Sequence, residues 1–177
     1  VDRTAWKLFL KRWNEDLLTA NFRPHSMLDK PITDGWFGFP PASAEQVAAA
    51  ESRLGCVLPP SLREFLLTSD GWQQAGTFGG EVRGTGELGW LRDLNPMRAG
   101  VYEEDDADEQ AGLRRVLMIS EGADAGVLFL DPGDVDEHGE WAAYELYSWS
   151  GEGPQRRGSF AELMCDLYAD FHALKLP

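Results

Sequence analysis

Cysteine, histidine and basic residues are all scarce in this chain, and each scarcity removes a class of function. Only Cys56 and Cys165 are present, far apart, whereas small secreted domains rely on denser disulfide frameworks. Both read as reduced core residues, with a bridge between them left open, and the cytoplasm is the expected compartment. The three histidines are His25, His138 and His172, and none neighbours a nucleophile-elbow pattern, so a Ser or Cys hydrolase lacks a visible base. Lys and Arg total 16 against 30 Asp and Glu, a formal net charge of -14. Such a surface repels phosphate backbones, which argues against direct nucleic-acid binding, and attracts basic partners instead. No apolar run approaches the roughly 20 residues that cross a bilayer. The N-terminus also lacks a basic region followed by an apolar run, so neither export nor membrane insertion is signalled.

What is abundant is core-forming material: 43% of residues are hydrophobic, with 7 Trp and 9 Phe among the 177. That is too rich for a disordered chain, and the length suits one domain with an appended arm. The expected division is a helical arm and linker over 1–33 and an α+β domain over 34–177.

Between Thr4 and about Phe22, Trp6, Phe9, Leu10, Trp13 and Leu17 recur at helical spacing and form one apolar stripe. The stripe suits packing on the chain's own core or the holding of a partner. A second helix opens with a capping box at Ser43 and Gln46 and closes at Gly55, where a left-handed C-cap is wanted. Pro59-Pro60 delays the next helix, for which Ser61 and Glu64 suggest another box, and Asp70-Gly71 ends it. Glycines and short apolar runs follow as far as Leu91, fitting hairpins or irregular strands. Strands are expected at Val116 to Ser120, Gly126 to Leu130 and Trp141 to Trp149, the second followed by a turn at Asp131-Pro132-Gly133-Asp134. In the last strand Trp141, Tyr147 and Trp149 share one parity and Tyr144 and Leu146 the other, so both faces need cover and the strand is central. Ser159 with Glu162 opens a closing helix buried through Phe160, Leu163, Met164, Leu167 and Phe171.

The segment WFGFPPASAEQVAAAESRLGCVLPPSLREFLLTSDGW, from Trp36 to Trp72, resembles the opening motif of the SUKH superfamily, of the Smi/Knr type. Its features in order are Trp36 and Gly38 before Pro40, Glu51 within a helix, Leu54-Gly55, Leu58-Pro59, Phe65-Leu66 and Gly71-Trp72. Leu62 and Asp70 stand where relatives often carry tyrosine and asparagine. The resemblance extends over roughly residues 34 to 173 and implies one mixed or antiparallel sheet of about five or six strands wrapped by helices. It also implies a binding role without catalytic machinery: an immunity protein beside a toxin, in many cases a nuclease, or a regulator resembling the cell-wall-assembly regulators.

Three groups of residues invite a ligand and each has a plainer reading. Asp131, Asp134, Asp136 and Glu140 offer oxygen ligands, but their spacing is not that of an EF-hand and turn chemistry accounts for them. Gly79, Gly80, Gly84, Gly86 and Gly89 lack the Gly-Lys-Ser/Thr that would follow in a phosphate cradle. Trp36 and Trp72 can fill a core or anchor an interface. No cofactor or metal is therefore expected. The partner-facing candidates are Trp90 and the acidic run Glu103, Glu104, Asp105, Asp106, Asp108 and Glu109, which read either as an anchor beside steering charge or as a core residue beside a solvated loop. The expected partner is a protein, with a basic toxin domain foremost, and the chain is expected to be a monomer or weak homodimer. A regulator would use the N-terminal helix to hold its partner, and an enzyme or small-molecule sensor would need a pocket lined by Trp72, Trp90 and Trp149.

Overall fold

A computed structural model describes residues 1–20, 32, 34–75, 80–96, 115–122, 126–147, 150–151 and 153–173. The first helix, α1, spans Arg3–Thr19, with Asp2 as N-cap accepting from the Ala5 amide at 2.9 Å. Helix α2, Ala44–Leu54, has the complete capping box expected of Ser43 and Gln46 and a left-handed cap at Gly55, φ 74°. Helix α3 is Pro60–Leu66, followed by strand β1, Gly89–Trp90, and the short helix α4, Leu91–Leu94. Strands β2, Leu117–Glu121, β3, Gly126–Val135, β4, Trp141–Tyr147, and β5, Gln155–Arg157, lead to the closing helix α5, Phe160–Ala173.

The five strands form one open sheet in sequence order, every neighbouring pair antiparallel. The fold is α+β. Alternation along each strand decides what each face holds. Leu117 and Ile119 of β2, Leu128 and Leu130 of β3, and Trp141 and Ala143 of β4 join the main core with α1, α2, α3 and α5. The opposite parity, Met118, Val127, Phe129 and Leu146, forms a smaller cluster with Val116 and with Leu91 of α4, and Tyr144 packs against it. Strand β4 lies between β3 and β5, the central position its two-sided pattern demands.

The N-terminal stripe packs on its own core. Trp6, Leu10, Trp13 and Leu17 are all buried there, and the Trp6 indole donates to the Ser61 carbonyl at 3.0 Å. Rings interlock across three helices: Trp6 meets Phe65 at 5.3 Å and Phe160 at 5.6 Å, while Phe9 meets Tyr168 at 5.4 Å. Asn14, nearly buried, donates to the Gly35 carbonyl and accepts from the Phe37 amide, tying α1 to the start of the family-like motif.

Three local expectations are corrected. Ser61 does not open a capping box with Glu64: Pro59 is the N-cap of α3, and the Ser61 amide and hydroxyl both donate to the distant Glu140 carboxylate, at 2.9 and 2.6 Å. Glu64 pairs with Arg3 instead. Asp131-Pro132-Gly133-Asp134 is not the turn after the strand. β3 runs on to Val135 with a register shift between Asp131 and Val135, a bulge where proline's missing donor is tolerated. The chain reverses at 136–140, where Asp136 accepts from the His138 and Glu140 amides. Neither cysteine is fully buried, and only Cys56 packs against the main core. Cys56 is half-buried and Cys165 exposed, and both are free thiols. Desolvation first, then Glu51 for Cys56 and Asp166 and Glu162 for Cys165, pushes both thiols up, away from the thiolate that nucleophilic chemistry needs.

Candidate interaction surface

Trp90 stands on β1, at one edge of the sheet, half-buried and packed against the main core. The backbone leading to it has little regular structure of its own and is fixed by side chains from elsewhere. Asp70 accepts from the Thr85 amide at 2.6 Å and the Thr85 hydroxyl at 3.0 Å. Arg53, in the last turn of α2, donates to the Leu88 carbonyl at 2.7 Å and the Thr85 carbonyl at 2.8 Å. Amides of Glu87 and Leu88 both donate to the Gly84 carbonyl, closing the turn. A planar guanidinium suits two carbonyls at once, and here it occupies backbone acceptors near an edge strand that would otherwise invite another chain.

An open cleft of about 330 Å³ lies against this turn, with Arg53, Arg83, Glu87, Trp90, Asp93 and Leu94 among its walls. Leu94 is 41% exposed. Arg83 reaches the Glu87 carbonyl at 3.4 Å and Glu121 at 3.9 Å, and its Nε is buried without an acceptor among the described residues. Sequence reasoning singled out Trp90 and missed the arginines. Arg53 and Arg83 are 30 positions apart and meet only through the turn, so no local pattern announces them.

The acidic run from Glu103 to Glu109 lies outside the described residues, as does Trp149. Trp72 is fully buried, so it cannot line an open pocket with Trp90. It bridges Gly38 on one side and Val82 on the other, and Val82 in turn bridges Ser120 of β2. Trp36 meets Trp72 edge-on at 5.3 Å.

The other motif residues are also held in structural roles. Glu51 accepts from the Leu58 amide at 3.0 Å and from Arg63 at 2.9 Å, stapling α2 to α3 around Pro59. Pro40 accepts from the Asp70 amide, and Leu54, Leu58, Phe65 and Leu66 are buried. Gly71 has φ 115°, and a Cβ there would lie 2.8 Å from the Val82 carbonyl, so only glycine lets the strand-like bridge approach.

On the second sheet face Phe129 stacks on Tyr144 at 5.3 Å, and Asp134 takes two bonds from Arg156 at 2.7 and 2.9 Å and one from the Tyr144 hydroxyl. Arg156 beside it holds the Asp134 carboxyl below the usual range, while burial and then Asp134 push the Tyr144 hydroxyl up. The four hairpin carboxylates considered as metal ligands each have separate protein partners: the Gly133 amide for Asp131, Arg156 for Asp134, two amides for Asp136 and Ser61 for Glu140. Among the described residues no group of three or more His, Cys, Asp or Glu is placed to hold a metal ion, and no helix is long and apolar enough to cross a membrane.

Comparison with protein families matches residues 41–166, more than half of the chain, to the SMI1 / KNR4 family (SUKH-1). The chain belongs to this family. Comparisons with curated proteins and with solved structures gave no match. Membership of the SMI1 / KNR4 family supports a general immunity- or regulator-type role built on protein binding, and the family is generally non-catalytic. Helix α1 lies before the matched span, yet its stripe is buried in the same core as the matched helices.

Proposed function

We propose that the chain is an immunity protein that neutralises a cognate toxin by binding it one to one. Family membership carries this reading. The net charge of -14 supports it, because a toxin that handles nucleic acid presents Lys and Arg where phosphate would sit, and clustered carboxylates are attracted to that surface. Glu103, Glu104, Asp105, Asp106, Asp108 and Glu109 are the proposed steering charges, and Trp90 is the proposed aromatic anchor. The partner is thus a protein with a basic surface, met in the cytoplasm, and inhibition is blockade without bond chemistry. The regulator-type alternative keeps only the outward face of α1, where Leu8 and Leu18 are exposed, since the apolar stripe is buried in the chain's own core.

The test begins with the neighbouring gene, where this reading expects a toxic domain. Replacing the six carboxylates by their amides is expected to slow association with that domain and flatten its salt dependence, read by stopped-flow at two ionic strengths. Unchanged kinetics would remove the acidic run as the docking face.

A further inference from the structure

The cleft beside Trp90 has a chemistry unlike the surface around it. The chain carries a net charge of -14, yet of the four charged residues that line this cleft, Arg53, Arg83, Glu87 and Asp93, the most enclosed is Arg83. The Arg83 side chain is 25% exposed, whereas Asp93 is 63% exposed and already sits 3.6 Å from Arg92. Arg53 is immobilised by its two short bonds to the turn. Arg83 is differently placed: its contacts to the Glu87 carbonyl at 3.4 Å and the Glu121 carboxylate at 3.9 Å are long, and while its Nε is closed off from solvent, part of the side chain is open where it lines the cleft. A partly exposed guanidinium whose terminal nitrogens make only long contacts gains from a carboxylate that meets them at hydrogen-bond distance. Trp90 and Leu94 supply apolar surface at the same cleft.

We infer that this cleft receives a carboxylate side chain of the protein partner, an Asp or Glu with an aliphatic neighbour, pairing with Arg83 while the neighbour packs on Trp90 and Leu94. The inference rests on the protein-binding reading and adds the chemistry of one anchor. It also gives that reading a source of specificity. Long-range attraction draws any basic protein towards the acidic surface, and a carboxylate placed to meet Arg83 fixes which partner seats and in what register. A basic protein with lysine at that point would set like charges against each other.

The direct experiment needs no variant protein. The full chain is titrated with acetyl-Leu-Asp-Leu-amide, its Asn counterpart and its Lys counterpart, following the Trp90 indole N–H resonance, assigned with Trp90→Phe. The Asp peptide is expected to give a saturating shift and to bind about tenfold more tightly than the Asn peptide, the scale of a charge-assisted pair. Arg83→Gln, with its fold checked by unfolding midpoint, is expected to erase that ratio. Equal affinity of the Asp and Asn peptides, preference for Lys, or no response to Asp would overturn the inference. Acetate binding as tightly as the Asp peptide would overturn the assignment to a protein side chain, giving the cleft to a free small acid. Toxin neutralisation is scored separately: if it survives Arg83→Gln with unchanged affinity, the cleft assignment fails while the immunity reading stands.

Discussion

The helical side of the main core and the β1 edge of the sheet are held together by different chemistry. On the helical side α1, α3 and α5 are locked by interleaved aromatic rings, and Trp6, Trp13, Phe65 and Phe160 are all at 2% exposure or below. At the β1 edge the turn that leads into a two-residue strand and a four-residue helix is held by hydrogen bonds that Arg53 donates and Asp70 accepts, beside an open cleft. Apolar burial scales with area and leaves little freedom, whereas a turn held by a few polar bonds opens locally at lower cost. The difference teaches where stability resides: the first region fixes the fold, and the second displays charged and aromatic groups, the proposed recognition surface, on a fixed but thin support.

The sharpest way to break this contrast is to hollow the aromatic side. Trp13→Ala should cost about 3–5 kcal/mol in urea unfolding, the scale of a buried aromatic truncated to alanine. A finer comparison is available within the same layer. The Trp6 indole donates to Ser61, while the Trp13 indole nitrogen is buried without an acceptor among the described residues. Trp6→Phe should therefore destabilise more than Trp13→Phe, since only the former breaks a made bond. The reverse order would mean that Trp13 has a partner these contacts do not show.

At the β1 edge, Arg53→Met should cost less, about 1–2 kcal/mol for the lost charge-assisted bonds at a partly exposed site. Its signature should be local: hydrogen exchange at the Glu87 and Leu88 amides rises well before amides of α1 or β3 respond. A uniform rise across the chain would erase the distinction between the two regions. The smallest effect is expected on the second sheet face. Arg156 lowers the Asp134 pKa, so the folded value lies below the unfolded one. The pair's contribution is therefore present above the unfolded pKa and fades as pH falls through the folded one. Asp134→Asn should be slightly less stable than the parent at neutral pH and converge with it in acid, read from thermal midpoints across pH.

Features governed by near neighbours were legible in the sequence, and those governed by distant ones were not. The Ser43 capping box and the Gly55 cap are decided within four residues, and both form as expected. The α1 stripe and the two-faced β4 follow from periodicity alone. Ser61 looked like another cap because the pattern with Glu64 is local, but Glu140, 79 positions away, takes its donors. Pro132-Gly133 suits a bulge as well as a turn, and strand pairing beyond it chose the bulge. Cys165 sits in a helical pattern yet faces outward, because the apolar face of α5 is defined by Phe160, Leu163, Met164, Leu167 and Phe171. Of the candidate surface, only Trp90 was visible beforehand; Arg53, Arg83, Asp93 and Leu94 reach one cleft through a turn that long-range bonds create.

The central claim is that this molecule acts by occupying a partner. Its most direct test is a titration of the purified chain against the cognate toxic domain that the immunity reading expects, with residual toxin activity followed as a function of molar ratio. Stoichiometric blockade predicts a linear fall that reaches its floor at one equivalent and returns when the complex is separated. Complete inactivation at a small fraction of an equivalent, increasing with time, would mean that the chain turns over and would contradict the account.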